Sequence, residues 1–238
     1  MIFYHFAWTN TRKGDRDDPQ KQLENIKYTV DAVELAYRMG CTKFIGAGSQ
    51  AEYGIHGEKS TKPSSILQPI DAYGISKMAA GKLGLLEAKK KKMSFIWVRI
   101  FSVYGKYENP NSMIQVTLQK LLKNENCDFS TGTQMWDYLY SSDAGKAFLK
   151  LGDSETKNNY YCLGSGNAKP LKEYIYEMQN ILHSNSKLNF GIIRDNPINR
   201  NGMCADITTL TQDTGWVPKV DFIRGIKWEV ERLRRKIK

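Results

Sequence analysis

Residues 72–100 read AYGISKMAAGKLGLLEAKKKKMSFIWVRI, and the order of elements in and around this stretch decides the fold. Ala72 to Lys92 reads as one long helix ending in a run of four lysines, a charge that suits a helix C-terminus. Ser94 to Ile100, SFIWVRI, follows as a buried strand. Upstream, Lys43 to Ala47 is another strand, joined to the helix by a Gly-, Ser- and Pro-rich loop from Gly48 to about Gln68. From Pro19 to Met39 the apolar residues Leu23, Ile26, Val30, Val33 and Tyr37 recur at spacings of three and four, which predicts an amphipathic helix closed by Gly40. Met1 to Ala7 is short, aromatic and β-prone. Strand, helix, strand, helix, strand makes two βαβ units, hence a parallel sheet with helices on both faces.

Beyond residue 105 the pattern is mixed. Helices are predicted from Met113 to Lys123, Asp143 to Leu151 and Leu171 to His183, with two more around Trp216-Val217-Pro218. Short strands are predicted near Asp128, from Trp136 to Tyr140, from Asn159 to Leu163 and from Lys187 to Ile193. This second lobe should interleave with the sheet and share its core.

The chain has 238 residues, 41% hydrophobic and 25% charged, enough to bury one large core or two small ones. No stretch approaches the ~18 apolar residues of a membrane span, and no secretory leader is legible at the N-terminus. Cys41, Cys127, Cys162 and Cys204 stand far apart, as do His5, His56 and His183, which argues against a zinc site and a disulfide framework. A cytoplasmic protein with reduced thiols is the expectation. The net charge of +10 is partly gathered at residues 89–92 and at Arg232, Arg234, Arg235, Lys236 and Lys238. Neither run carries an aromatic RNA-binding signature or a helix-turn-helix, so nucleic-acid binding ranks last among the functions considered.

The chemistry concentrates at Tyr73-Gly74-Ile75-Ser76-Lys77. Tyr73 and Lys77, four apart near a helix N-terminus, share one face. An adjacent ammonium and the positive helix end should both favour the phenolate, making Tyr73 a proton-transfer group beside a carbonyl or alcohol. Ser49, just past the strand ending at Ala47, lies where open α/β sheets bind ligands and could hydrogen-bond the same oxygen. Gly46-Ala47-Gly48-Ser49-Gln50-Ala51 matches a dinucleotide fingerprint by letter only, because a Pro-containing loop follows where a helix should open.

Taken in order, these motifs resemble the extended short-chain dehydrogenase/reductases that act on nucleotide sugars, the NAD-dependent epimerase/dehydratases. His5-Phe6-Ala7, Asn25 in NIKYTVDAVELA, KFIGAGSQAEYG, YGISK, VRIFSVYG, WDYLYSSDAGKAFL, YYCLGSG and ADITTLTQDTGWVPKVDFIRGIKWEVE each resemble one of its conserved stretches. The resemblance implies a Rossmann-like α/β sheet over residues 1–105 and a smaller mixed α+β substrate lobe over 106–238. It implies a catalytic trio of Ser49, Tyr73 and Lys77, with Tyr73 moving the proton of a sugar hydroxyl at C4 and Lys77 holding the nicotinamide ribose and lowering the phenol pKa. Ala7, Phe101, Ser102 and Val103, with Tyr73 and Lys77, would flank NAD or NADP. Ser49, Gln50, Ser102 and Trp136 would face the nucleotide sugar. A homodimer through the helices at 19–39 and 72–92 is also implied, where Ala79, Ala80, Gly81 and Gly84 permit close packing either between copies or within the core.

Departures from the family pattern sharpen the expectation. Its 4,6-dehydratases place Asp-Glu after the active-site residue; here Gln50 and Ala51 stand there, which favours C4 epimerisation or 4-keto reduction over dehydration. Ser102 replaces an asparagine and Trp136 an arginine on the substrate side. Met1 falls at the family's fourth strand, so the glycine-rich strand–turn–helix that cradles the pyrophosphate is expected to be missing from this chain. A non-catalytic, truncated relative that binds sugar nucleotides or serves only as a structural remnant is therefore the alternative to an active enzyme.

Overall fold

The structure, a computed structural model, describes residues 1–12, 14–55, 60–195 and 204–237; His56, Lys238 and the side chain of Lys236 lie outside that description. In chain order its elements are β1 (Ile2–His5), α1 (Pro19–Arg38), β2 (Lys43–Ser49), α2 (Ala72–Lys90), β3 (Ser94–Ile100), β4 (Ser102–Tyr104), α3 (Met113–Leu122), β5 (Cys127–Phe129), β6 (Met135–Trp136), β7 (Tyr138–Tyr140), α4 (Ser141–Asp153), β8 (Tyr160–Leu163), β9 (Lys169–Pro170), α5 (Leu171–Leu182), β10 (Leu188–Phe190), α6 (Thr208–Thr214) and α7 (Phe222–Ile237).

The main sheet runs β1-β2-β3-β8, every pairing parallel, with Lys43 beside Ser94 and Ser49 beside Ile100 in the central register. Alternation along the strands sorts the core into two layers. Phe44, Phe95 and Trp97 meet α1 and α2 on one side. Ile45, Ile96 and Val98 meet Ala147, Phe148 and Leu151 of α4 and Leu210 of α6 on the other. Helices thus cover both faces, as the βαβ pattern requires. Strand β8 and helices α4 and α6 come from the second half of the chain, so that half completes the sheet as well as building its own core. That second core joins α3, α5 and α7 around Tyr104, Tyr174, Phe222 and Ile226.

Two buried aspartates of the WDYLYSSDAGKAFL stretch tie distant segments of the second half to one another. Asp137 accepts hydrogen bonds from the amides of Ser165 (2.6 Å), Gly166 (3.2 Å) and Ala205 (2.9 Å). Asp143 accepts from Lys219 (2.6 Å) and Val220 (2.7 Å). Burying a carboxylate is tolerable only with such charge-assisted partners.

Several expectations change. Only part of the expected apolar stripe of α1 faces the sheet: Val33 is buried there beside Ala36, while Leu23 and Tyr37 are about half exposed and the polar Gln22, Asn25 and Thr29 are buried. The polar members of this buried stripe fasten the loop after β1. Asn25 Oδ1 accepts from the Thr9 amide (2.9 Å), its Nδ2 donates to the Thr9 carbonyl (3.1 Å), and Gln22 Nε2 donates to the Asn10 carbonyl (2.8 Å). On α2, Ala80, Gly81 and Gly84 turn inward, and a Cβ on Gly81 would stand 2.7 Å from the Trp97 indole nitrogen. Their smallness serves the sheet-facing core. The strand expected from Trp136 to Tyr140 divides into β6 and β7, because Asp137 between them turns to its amide cluster. The one expected from Lys187 to Ile193 stops at Phe190, before Gly191 with its φ of +83°.

Candidate active site

Ser49, Tyr73 and Lys77 come together at the C-terminal edge of the sheet, each placed by local backbone chemistry. Ser49 ends β2 and caps a single 3₁₀ turn: its Oγ accepts from the Ala51 amide (3.1 Å), and its own N–H donates to Glu52 Oε1 (2.9 Å). Asp71 caps α2 by accepting from the Gly74 amide at 2.6 Å. Gly74 has no alternative: a Cβ there would lie 2.4 Å from the Ala51 carbonyl oxygen, so its bareness lets the helix start dock on the turn that carries Ser49. As a result the Ser49 hydroxyl comes close enough to the Tyr73 phenol to favour its phenolate form. Gly54, at φ +68°, closes the intervening loop by pairing with Gln68.

Lys77 is 4% exposed and donates to the Ala47 carbonyl at 2.7 Å. The Trp8 ring lies 3.6 Å from its ammonium and meets the Tyr73 ring edge-on at 5.9 Å. The Arg16 guanidinium stacks 3.9 Å from the Tyr73 ring centre. Trp8 and Arg16 sit on the loop that Gln22 and Asn25 fasten, and Trp8 Nε1 donates to Gln22 Oε1 at 3.0 Å. Neither residue was singled out from the sequence. The signal for Trp8 was its place two residues after the strand-end sequence His5-Phe6; Arg16 had none.

The electrostatics differ from the expectation. Burial pushes the Tyr73 phenol above its ordinary value; the Ser49 hydroxyl and Arg16 oppose that rise, while Glu52 and Asp71 add to it. The Lys77 ammonium is drawn to the Ala47 carbonyl and covered by the Trp8 ring. Burial lowers Lys77 itself to about 7, against the pull of Glu52 and with the help of Arg16. The expected depression of the phenol is therefore absent from the ligand-free site. His5, at the end of β1, is buried and held neutral, its pKa lowered to about 4 by burial and by the Lys77 charge.

The other residues expected at the site are more dispersed. Ala7 is exposed just past β1, and Gln50 opens the turn beside Ser49. The Phe101 ring is buried with Tyr53, Cys162 and Ala205, and Ser102 and Val103 form β4 against Tyr138 and Leu139 of β7. Trp136 is built into the second core, beside Tyr138, at 6.3 Å between ring centres. Glu52, unremarked in the sequence, proves central. It is 1% exposed and receives Trp97 Nε1 (2.9 Å) and Arg99 Nε (2.8 Å) besides the Ser49 amide. Its one sequence signal was Arg99, a charge inside a strand otherwise fit for full burial, which requires a buried acid.

Residues 2–164 match the model of the NAD dependent epimerase/dehydratase family. The chain belongs to that family. Among curated members, it is 28% identical over 221 residues to the dTDP-D-glucose 4,6-dehydratase of Mus musculus, covering 89% of this chain and 61% of that one. It is also 28% identical over 222 residues to the dTDP-4-dehydro-6-deoxyglucose reductase of Escherichia coli, covering 90% and 68%. The chain thus spans about two thirds of the length of these family members. The crystal structure of a UDP-glucose 4-epimerase from Thermotoga maritima with UDP-glucose shares the fold, with a TM-score of 0.85, 20% identity, and 100% of this chain and 78% of that one covered. Other solved structures that share the fold hold NAD or NADPH.

Proposed function

We propose that this chain carries the proton-transfer centre of a nucleotide-sugar C4 epimerase or 4-ketoreductase. The observation that carries the reading is the gathering of Ser49, Tyr73 and a buried Lys77 at one sheet edge, the Lys77 ammonium 5.8 Å from the Tyr73 ring centre. A sugar hydroxyl or its ketone would receive a hydrogen bond from Ser49, while Tyr73 takes the hydroxyl proton during oxidation and returns one during reduction. Lys77, poised at about 7, holds charge next to that exchange. NAD or NADP, when bound, supplies and takes back the hydride. The residues fit its nicotinamide ribose end: Lys77 offers an ammonium donor in the same cluster as Tyr73, at the sheet edge where the exposed Ala7 also lies. Basic residues of the second lobe would suit a sugar diphosphate.

Elimination of water needs an acid and a base beside the reacting carbon, and the residues that follow Ser49 on its turn supply neither. Gln50 and Ala51 cannot serve, and Glu52 has both oxygens occupied by Ser49, Trp97 and Arg99. The dehydratase reading is accordingly set aside, although the mouse protein carries that name.

The test is conversion of UDP- and dTDP-sugars by the full chain, with NAD(P)⁺ for epimerisation and with NAD(P)H for 4-keto sugars, followed by chromatography, beside calorimetric binding of the same sugars. Tyr73→Phe should retain binding and lose conversion about 10²–10⁴-fold. Equal binding with no conversion by either protein would overturn the enzyme reading in favour of a non-catalytic sugar-nucleotide binder.

A second copy of the chain is proposed to cover the outer face of α1 and α2, where Leu23, Leu35, Ile75, Leu83 and Leu86 are all about half exposed.

A further inference from the structure

We propose that Glu52 is a positioning residue of this site: its buried carboxylate, locked by Arg99, fixes Ser49 and supplies the negative charge that faces Lys77. The inference rests on the reading of Ser49, Tyr73 and Lys77 as the reacting group. It concerns a residue that the expected trio leaves out.

The geometry is closed on every side. Oε1 of Glu52 accepts from the Ser49 amide (2.9 Å) and the Trp97 indole (2.9 Å), and Oε2 accepts from Arg99 Nε (2.8 Å). Arg99 Nη1 then donates to the Tyr53 hydroxyl (3.1 Å) and the Pro63 carbonyl (2.8 Å), tying in the loop between β2 and α2. Gly48 is bare where the carboxylate passes: a Cβ there would stand 2.6 Å from Oε1. The ends of β2 and β3 and the start of the loop are thereby held as one block, and Ser49 is held extended at φ −147° and ψ 148° with its hydroxyl toward Tyr73.

A buried ion pair is poorly explained by stability, since apolar replacements of equal volume are often neutral or better. Its place explains more. Glu52 binds the Ser49 amide while Lys77 binds the Ala47 carbonyl two residues earlier on the same strand end. The Trp97 indole, which donates to Glu52, lies 5.8 Å from the Lys77 ammonium. The other groups around that ammonium are Arg16, His5, Tyr73 and Trp8, of which Arg16 is cationic and His5 neutral. Glu52 is thus the carboxylate opposing both burial and Arg16, and it also raises the Tyr73 phenol. Glu52 therefore favours the protonated amine, and together with burial and Asp71 it favours the neutral phenol, the form from which Tyr73 can donate.

The experiment is a pH titration of the full chain labelled with ¹³Cε-lysine, followed by NMR, with Lys77→Met assigning the resonance. Wild type should show Lys77 titrating near neutral pH, far below the other lysines. Glu52→Gln keeps the acceptor for Ser49 and removes the charge, so the proton affinity of Lys77 should fall about tenfold or more. Glu52→Gln/Arg99→Gln leaves no unpaired buried guanidinium and should fall by a similar factor, which keeps the test open if the single variant misfolds. Unchanged titration in either folded variant, a Lys77 that titrates with the surface lysines in wild type, or collapse of both variants would make the pair purely structural and overturn the proposal. Turnover does not enter this readout: a shifted titration in a protein that converts no sugar would sink the enzymatic reading and leave the role of Glu52 standing.

Discussion

Single residues here report on pH in a way that can be worked out with its sign. His5 is held at about 4 in the folded chain, well below the ordinary 6.5. Between those values the unfolded chain binds a proton that the folded one refuses, so stability falls as pH drops from 6.5 to 4, by about 3 kcal/mol at the lower end. Lys77, lowered to about 7, acts in a higher window: stability falls as pH drops from about 10.5 to about 7 and levels off below. Denaturant melts across pH should show both slopes, with His5→Gln flattening the acidic one and Lys77→Met the basic one. The sequence made Tyr73, Lys77 and Ser49 legible because their spacing and strand-end position are local properties. Glu52 was hidden because its partners Trp97 and Arg99 lie more than forty residues away, and a glutamate between two glycine turns reads as surface.

Among the elements, α2 and β3 were readable because their burial follows from their own composition. In α1 the periodic pattern marked the helix and its buried Val33 but missed the polar half of the buried stripe, since side chains that bond a loop bury as firmly as apolar ones. Asn25, 1% exposed, satisfies both backbone groups of Thr9. Asn25→Ala should cost about 1–3 kcal/mol in a urea melt and free the loop bearing Trp8 and Arg16. Weaker protection of the Thr9 amide in hydrogen exchange would mark the loosening. Gly81→Ala tests the opposite fault, overpacking: the new methyl meets the Trp97 indole, and a loss of about 1–3 kcal/mol is expected. A variant that matched wild type would mean the indole can shift without cost.

The whole molecule presents an apolar flank and an interwoven chain path. If a second copy covers the outer face of α1 and α2, light scattering should give a dimer, and Leu83→Glu with Leu86→Glu should give a folded monomer; a monomeric wild type would refute the pairing. The mixed α+β pattern beyond residue 105 led to the expectation of a second lobe interleaved with the sheet. How the segments of that half tie to one another was not legible, because the bonds at Asp137 and Asp143 join residues 28 to 77 positions apart. With β8 seated beside β3 and α4 and α6 roofing the first three strands, the connection around Tyr107, which is 90% exposed, carries little of the structure. A trypsin nick after Lys106 should therefore leave one particle on a native gel and two bands only in detergent, because the two pieces are held together by the sheet they share and not by the peptide bond between them.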